Sequence, residues 1–180
     1  MKIIDNFISK KKQDELEKLL FSDNFPWYFS PNITSSRHKN FNPALLHIFS
    51  KPEGVNSVYF NSVLPLIKKA KGHTVLYSKT ILQFPNSGDG SLDEKHIDME
   101  REHKVLLYYV KDSDGDTVFF NKKDKINKRV TPKKGRAVLF DGSIWHSSYK
   151  PKKKLRCIIN FDYLEAWLNR YIWYNVIWGK

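Results

Sequence analysis

The spacing of apolar positions changes near residue 73. Before it they recur at helical intervals, and after it they alternate. Ser9 precedes a run with Leu16, Leu19 and Leu20 on one face, which predicts a capped helix over about 10–21. Tyr59, Ser62, Val63, Leu66, Ile67 and Ala70 predict a second helix within 57–71. Pro65 kinks it or marks its first turn, and Gly72 stops it. IIDNFI at 3–8 reads as a short strand, and FPWYFSPN at 25–32 as an aromatic loop or strand. From residue 73, period-two patterning predicts strands at 74–84, 94–99, 104–111, 116–120, 129–131, 136–141, 145–149 and 155–163. NSGDG, KDSDGD, NKKDKIN, TPKKG and KPKKK separate them, all good turn chemistry. Helices followed by about eight short strands predict an α+β chain with a jelly-roll or barrel core.

A length of 180 residues suits one domain with a real core. Its expected parts are a helical support region at 1–72, a β core at 73–163 and an aromatic extension at 164–180. The single cysteine, Cys157, excludes an intramolecular disulfide and points to a reducing compartment. The first twenty residues lack an apolar signal core, and no stretch approaches a membrane span, so the expected location is cytoplasmic, with no membrane partner.

The net charge of +12 changes the list of partners. Lysines gather at 10–12, 68–71, 122–128, 133–134 and 152–154, which keeps nucleic acid or an acidic substrate open. Most of these clusters fall at predicted turns, where lysine commonly solubilises loops, and no zinc-finger or RRM-like signature accompanies them. Trp27, Tyr28, Trp145 and the tail 170–180 are candidate base-stacking aromatics, although packing against the β core explains such residues more often.

The candidate chemistry lies in His96-Ile97-Asp98, followed by His146 and Arg156. In a strand, His96 and Asp98 project to one face, so both can bind one ion. Two imidazoles and a carboxylate form the facial set that holds Fe(II) with open positions, although zinc accepts the same ligands. With 6 histidines and 12 aspartates in 180 residues, about 0.4 His-x-Asp pairs arise by chance. The weight therefore rests on the ordered set. Residues 145–163 read as a hairpin turning near Pro151–Lys152, which would set Arg156 opposite Ser147 and beside His146. A guanidinium there could pair bidentately with the far carboxylate of a diacid.

This set resembles the Fe(II)/2-oxoglutarate-dependent dioxygenases, in particular the prolyl-4-hydroxylase-like branch, from about Tyr77 to Tyr163. The opening IIDNFIS…LL is similar to that branch's first strand and helix. The resemblance implies a double-stranded β-helix (jelly-roll/cupin-like) core with N-terminal helices packed on one face. It implies His96, Asp98 and His146 as iron ligands and as the catalytic set. Arg156 would bind the 2-oxoglutarate C5 carboxylate, Tyr109 would support that carboxylate, and Thr117 would lie near it. The implied cofactors are Fe(II), 2-oxoglutarate and O2, with ascorbate as an accessory reductant the branch allows. The implied reaction hydroxylates a substrate C–H bond and releases succinate and CO2, and the branch suggests a peptidyl proline or other protein side chain as substrate, with a small molecule also open.

Two departures stand out. Phe84 occupies a place where related hydroxylases often carry tyrosine, so a hydrogen bond to the cosubstrate is missing or is supplied by Gln83. Many branch members carry lysine where this chain has Arg156, so that residue identifies no substrate. The arginine pattern of alkylated-nucleic-acid repair oxygenases after the second histidine is absent, which disfavours nucleic acid. Competing readings are a zinc hydrolase on the same His/Asp/His set, which would not need Arg156, and a basic nucleic-acid-binding β domain. Substrate specificity is expected in the loops at 25–50, 86–95 and 121–128.

Overall fold

A computed structural model describes residues 1–33, 42–85 and 90–165. Its elements are β1 (Lys2–Ile4), α1 (Lys10–Leu20), β2 (Tyr28–Ser30), β3 (Ala44–Lys51), β4 (Gly54–Val55), α2 (Phe60–Lys69) and β5 (Gly72–Gln83). Then follow β6 (Lys104–Tyr109), β7 (Thr117–Phe120), β8 (Ile126–Val130), β9 (Ala137–Asp141), β10 (His146–Ser148) and β11 (Arg156–Glu165).

Every strand pair in the two sheets is antiparallel. The large sheet runs β1-β9-β6-β11-β5-β3-β2, with β4 beside β3, and the small one runs β10-β7-β8. Alternation along each strand separates two apolar layers. On one face of the large sheet, Leu106, Tyr108, Ile159, Phe161 and Tyr163 pack with Leu16 and Leu20 of α1 and Val63, Leu66 and Ile67 of α2. On the other, Ile81, Val105, Leu107, Tyr109, Val138, Phe140 and Ile158 meet Phe119 and Val130 of the small sheet. Each fully buried aliphatic side chain here contributes about 1.5–3 kcal/mol. This is the double-stranded β-helix architecture, with its two helices on the outer face.

Local chemistry explains the helix ends. The Ser9 side chain accepts a 3.4 Å bond from the Lys12 amide at the start of α1. Gly72 does not stop α2. Lys71 carries the positive φ of 61°, and Gly72 opens β5. A Cβ at Gly72 would stand 2.4 Å from Ile67 Cδ1 and 2.8 Å from Tyr163 Cδ2, so close approach of strand to helix needs glycine there.

Three expectations change. Residues 1–72 are more than helical support, because β1 extends one edge of the large sheet while β2, β3 and β4 build out the other. The pattern reading missed β3, whose burial is mixed on both faces rather than alternating. The segment at 94–99 is not a continuous strand. It is joined to the small sheet by an isolated bridge from His96 to His146, with a second just before it from Leu92 to Tyr149. The hairpin expected across 145–163 is absent as well. β10 pairs with β7, whereas β11 pairs with β5 and β6, so the chain changes sheets between them. The Asp114 carboxylate accepts the amides of Lys153 and Lys154 at 2.9 and 3.2 Å and fixes that crossing. The aromatic tail 170–180 lies outside the described residues.

Candidate functional site

The bridge between His96 and His146 is a hydrogen-bonded antiparallel pair, His96 N to His146 O at 2.9 Å and His146 N to His96 O at 3.0 Å. Such a pair sets the two side chains on one face, and the ring centroids are 4.6 Å apart. Each ring is oriented by the same device. His96 Nδ1 lies 3.1 Å from the Glu94 carbonyl, and His146 Nδ1 lies 3.0 Å from the Ile144 carbonyl. A carbonyl accepts, so Nδ1 carries the proton and Nε2 presents its lone pair. Phe140 stands edge-on to the His146 ring at 5.0 Å. Asp98 closes the set, its Oδ2 3.5 Å from His146 Nε2.

The electrostatics suit a cation. Asp98 Oδ2 is buried without a hydrogen-bond partner in the structure. Burial would raise the Asp98 pKa, but His146, Lys79 and His96 hold it below the usual carboxylate range. Burial and the neighbouring His146 lower the His96 pKa, keeping that ring neutral and able to donate its lone pair. Among the described residues, the ligand atoms of His96, Asp98 and His146 all lie within 4.8 Å of one another. An orphaned carboxylate oxygen facing two oriented imidazoles fits a divalent metal with N2O ligation.

Arg156 lines the same pocket, reached from the opposite sheet rather than along a hairpin. Only 4% exposed, it donates from Nε to the Gly115 carbonyl at 2.9 Å, from Nη1 to Gln83 Oε1 at 2.8 Å and from Nη2 to Thr117 Oγ1 at 2.9 Å. Three of the five guanidinium N–H groups are thereby used, leaving one on each terminal nitrogen. No carboxylate pairs with it among the described residues. Asp93 and Asp116 act on the guanidinium only at longer range, and a buried cation without a direct carboxylate partner suits an anionic ligand. Tyr109 donates to Thr117 Oγ1 at 2.8 Å, linking both residues to the guanidinium.

Gln83 and Phe84 separate cleanly. Gln83 is 3% exposed and touches Arg156, whereas Phe84 is 54% exposed. The Gln83 amide also donates to Asp93 Oδ2 at 3.3 Å. Asp93 was not legible as a pocket residue, since it precedes the His-x-Asp pair in a turn-rich stretch. It is 8% exposed, its carbonyl accepts from Ser147, and Ser148 Oγ stands 3.3 Å from its carboxylate. His103 and Asp162 were also missed. They lie behind Asp98, with His103 Nε2 3.8 Å from Asp162 Oδ1, and burial beside Asp98 raises the Asp162 pKa well above its ordinary value.

The basic and aromatic residues divide. Lys10 and Lys134 pair with Asp14, Lys12 with Glu15, and both Lys111 and Lys134 with Glu17, so part of the positive charge is internally matched. Trp27 is structural, its indole donating to the Leu20 carbonyl at 2.9 Å and packing edge-on to Phe25. Trp145 is 47% exposed, with Lys95 5.5 Å from its ring.

Comparison with known proteins bears on the fold and the reaction class. The family profile of the 2OG-Fe(II) oxygenase superfamily matches residues 81–163. A sequence search of curated proteins gives no match. Among solved structures, an oxidoreductase of the 2OG-Fe(II) oxygenase family from Burkholderia pseudomallei is 11% identical with a TM-score of 0.68, covering 89% of this chain and 83% of that one. A Pseudomonas putida prolyl-4-hydroxylase is 12% identical with a TM-score of 0.60, covering 90% and 91%. A Trichoplax adhaerens prolyl hydroxylase, solved with a hypoxia inducible factor oxygen degradation domain peptide, is 17% identical with a TM-score of 0.62, covering 90% and 82%. At such identities the structural likeness is one of fold.

Proposed function

We propose that this 2OG-Fe(II) oxygenase holds iron through His96, Asp98 and His146 and anchors 2-oxoglutarate on Arg156. The chain is an oxidoreductase that uses Fe(II), 2-oxoglutarate and O2 to hydroxylate a C–H bond, with release of succinate and CO2. The observation carrying the residue assignment is that one pocket is lined by both histidines, Asp98 and Arg156. When bound, iron and 2-oxoglutarate supply the oxidising chemistry. The protein's own residues orient and exclude. The Glu94 and Ile144 carbonyls fix the imidazoles, Thr117, Gly115 and Gln83 fix the guanidinium, and Tyr109 buttresses Thr117. Ile81, Leu107, Phe140 and Ile158 make the wall between them apolar and limit water at the reacting position.

Neither a zinc hydrolase nor a basic nucleic-acid-binding domain is supported. Hydrolysis gives no reason for an unpaired buried Arg156, and internal ion pairs absorb several of the lysines. We read residues 1–180 as one domain. The likeness to two prolyl hydroxylases supports a peptidyl side chain, proline among them, as the substrate class. The lone buried Cys157 supports a reducing, cytoplasmic setting, and among the described residues no helix is long and apolar enough to cross a membrane.

The test is product stoichiometry. With Fe(II), 2-oxoglutarate and air, the protein should form succinate and CO2 in equal amounts, and Asp98→Ala should reduce both to background. Succinate formation undiminished by Asp98→Ala contradicts the ligand assignment.

A further inference from the structure

The inner face of the large sheet is a ladder of paired rows: Arg156 with Gln83, Ile158 with Ile81, Asn160 with Lys79, and Asp162 with Tyr77. Arg156 and Lys79 therefore stand two rows apart, about 13 Å along the strands. Both line the pocket that also holds His96, Asp98 and His146. A five-carbon diacid spans roughly 6 Å, less than half of that backbone separation, so the Lys79 row marks a second polar end of the pocket.

Lys79 has no anion of its own. It is half-buried, its Nζ lies 5.6 Å from the centre of the Tyr77 ring, and it makes no hydrogen bond or ion pair among the described residues. The charged and titratable groups facing it are Asp98, His96 and Asp162. Asp98 is committed to the metal, and Asp162 turns toward Asp98 and His103. Ile81 and Ile158 form the row between Lys79 and Arg156, and Asn160 is the cross-strand partner of Lys79. An ammonium group held near a divalent cation, with no carboxylate of its own, raises the energy of the loaded site until an anion arrives.

We propose that Lys79 is a specificity residue whose ammonium binds a carboxylate carried by the substrate, next to the C–H bond that is hydroxylated. This rests on the reading of His96, Asp98 and His146 as iron ligands. The carboxylate can belong to a free amino acid or small organic acid, or to an acidic residue of a peptide, since both present the same chemistry. Asn160, the cross-strand partner of Lys79, donates to Asp162 and holds that carboxyl beside the ammonium.

The test uses full-length protein loaded anaerobically with Fe(II) and 2-oxoglutarate, whose visible charge-transfer band reports cosubstrate loading and responds when substrate binds nearby. The probes are the free amino acids against their amides, and proline-containing peptides with Glu or Asp against the same peptides with Gln or Asn. Air is then admitted and a gain of one oxygen is read by mass spectrometry. Carboxylate probes should perturb the band and gain oxygen, with the amide counterparts about tenfold weaker or more. Lys79→Met, a neutral side chain of similar length, should lose this response, and Lys79→Arg should keep most of it, each judged against the band its own loaded form shows. A response from free acids assigns a small substrate, and a response from acidic peptides alone assigns a protein side chain. Equal binding of amides, no binding of any carboxylate probe, or undiminished binding by Lys79→Met overturns the proposal. A wild-type protein that forms no band has instead lost the iron reading, and the proposal with it.

Discussion

The two ends of the pocket differ in how they hold a positive charge. Arg156 is enclosed, with three neutral acceptors fixing its plane and two N–H groups left over. Lys79 is half-buried on a flexible stem with no acceptor among the described residues. A planar, immobilised fork suits one invariant partner, the carboxylate of a cosubstrate used in every turnover. A compact ammonium on four methylenes tolerates variation in the partner's position. The contrast separates the part of the site serving shared chemistry from the part that selects what is oxidised.

The largest effect should come from breaking the fixed end. On the proposed assignment, Arg156→Ala removes two charge-assisted bonds to 2-oxoglutarate, each about 1.5–3 kcal/mol, so its dissociation constant should rise on the order of 10²–10⁴-fold. Fe(II) affinity, measured in the same titration without 2-oxoglutarate, should change little. Equal losses of both would make Arg156 a structural residue. At the open end, Lys79→Ala should leave 2-oxoglutarate affinity within about threefold, the size expected for a charge two strand rows from Arg156 in a partly screened pocket. A larger loss would merge the two ends into one site.

Smaller effects sharpen the contrast. Gln83→Leu strips Arg156 Nη1 of a buried acceptor and should cost about 1–3 kcal/mol, lowering Tm by roughly 2–4 °C per kcal/mol in thermal unfolding. Tyr109→Phe removes the hydroxyl that donates to Thr117, and should weaken 2-oxoglutarate by about two- to tenfold. Away from both ends, burial pushes the Cys157 thiol up to about 12, so thiol reagents at pH 8 should leave the native protein unlabelled. Rapid labelling would mean that β11 opens locally.

The legibility of these features follows the range of the interactions that create them. Helix faces, the Ser9 cap and most strands depend on neighbours within a few residues, and all were readable from spacing. His96, Asp98 and His146 were recognisable as an ordered set, although His96 sits on an isolated bridge rather than a predicted strand. Arg156 was recognisable by chemistry, yet its route into the pocket was misread. A Pro-Lys-rich segment looks the same whether it turns a hairpin or crosses between sheets, and Asp114, about forty residues away, decides it. Lys79 carried a signal that needed the inward register to interpret: a lysine in step with Ile81 and Gln83 on a strand face that is otherwise enclosed. Asp93, His103 and Asp162 carried none, because only the tertiary fold brings them to the pocket and the back of Asp98.

The most direct measurement is an anaerobic titration of the wild-type protein with Fe(II) and 2-oxoglutarate, followed by visible absorption alongside His96→Ala and Arg156→Ala. The expected result is a saturable charge-transfer band in wild-type protein, absent in His96→Ala, and reached in Arg156→Ala only at far higher 2-oxoglutarate. A wild-type protein that forms no band, or a band unaffected by either substitution, would contradict the assignment of this pocket as the iron and 2-oxoglutarate site.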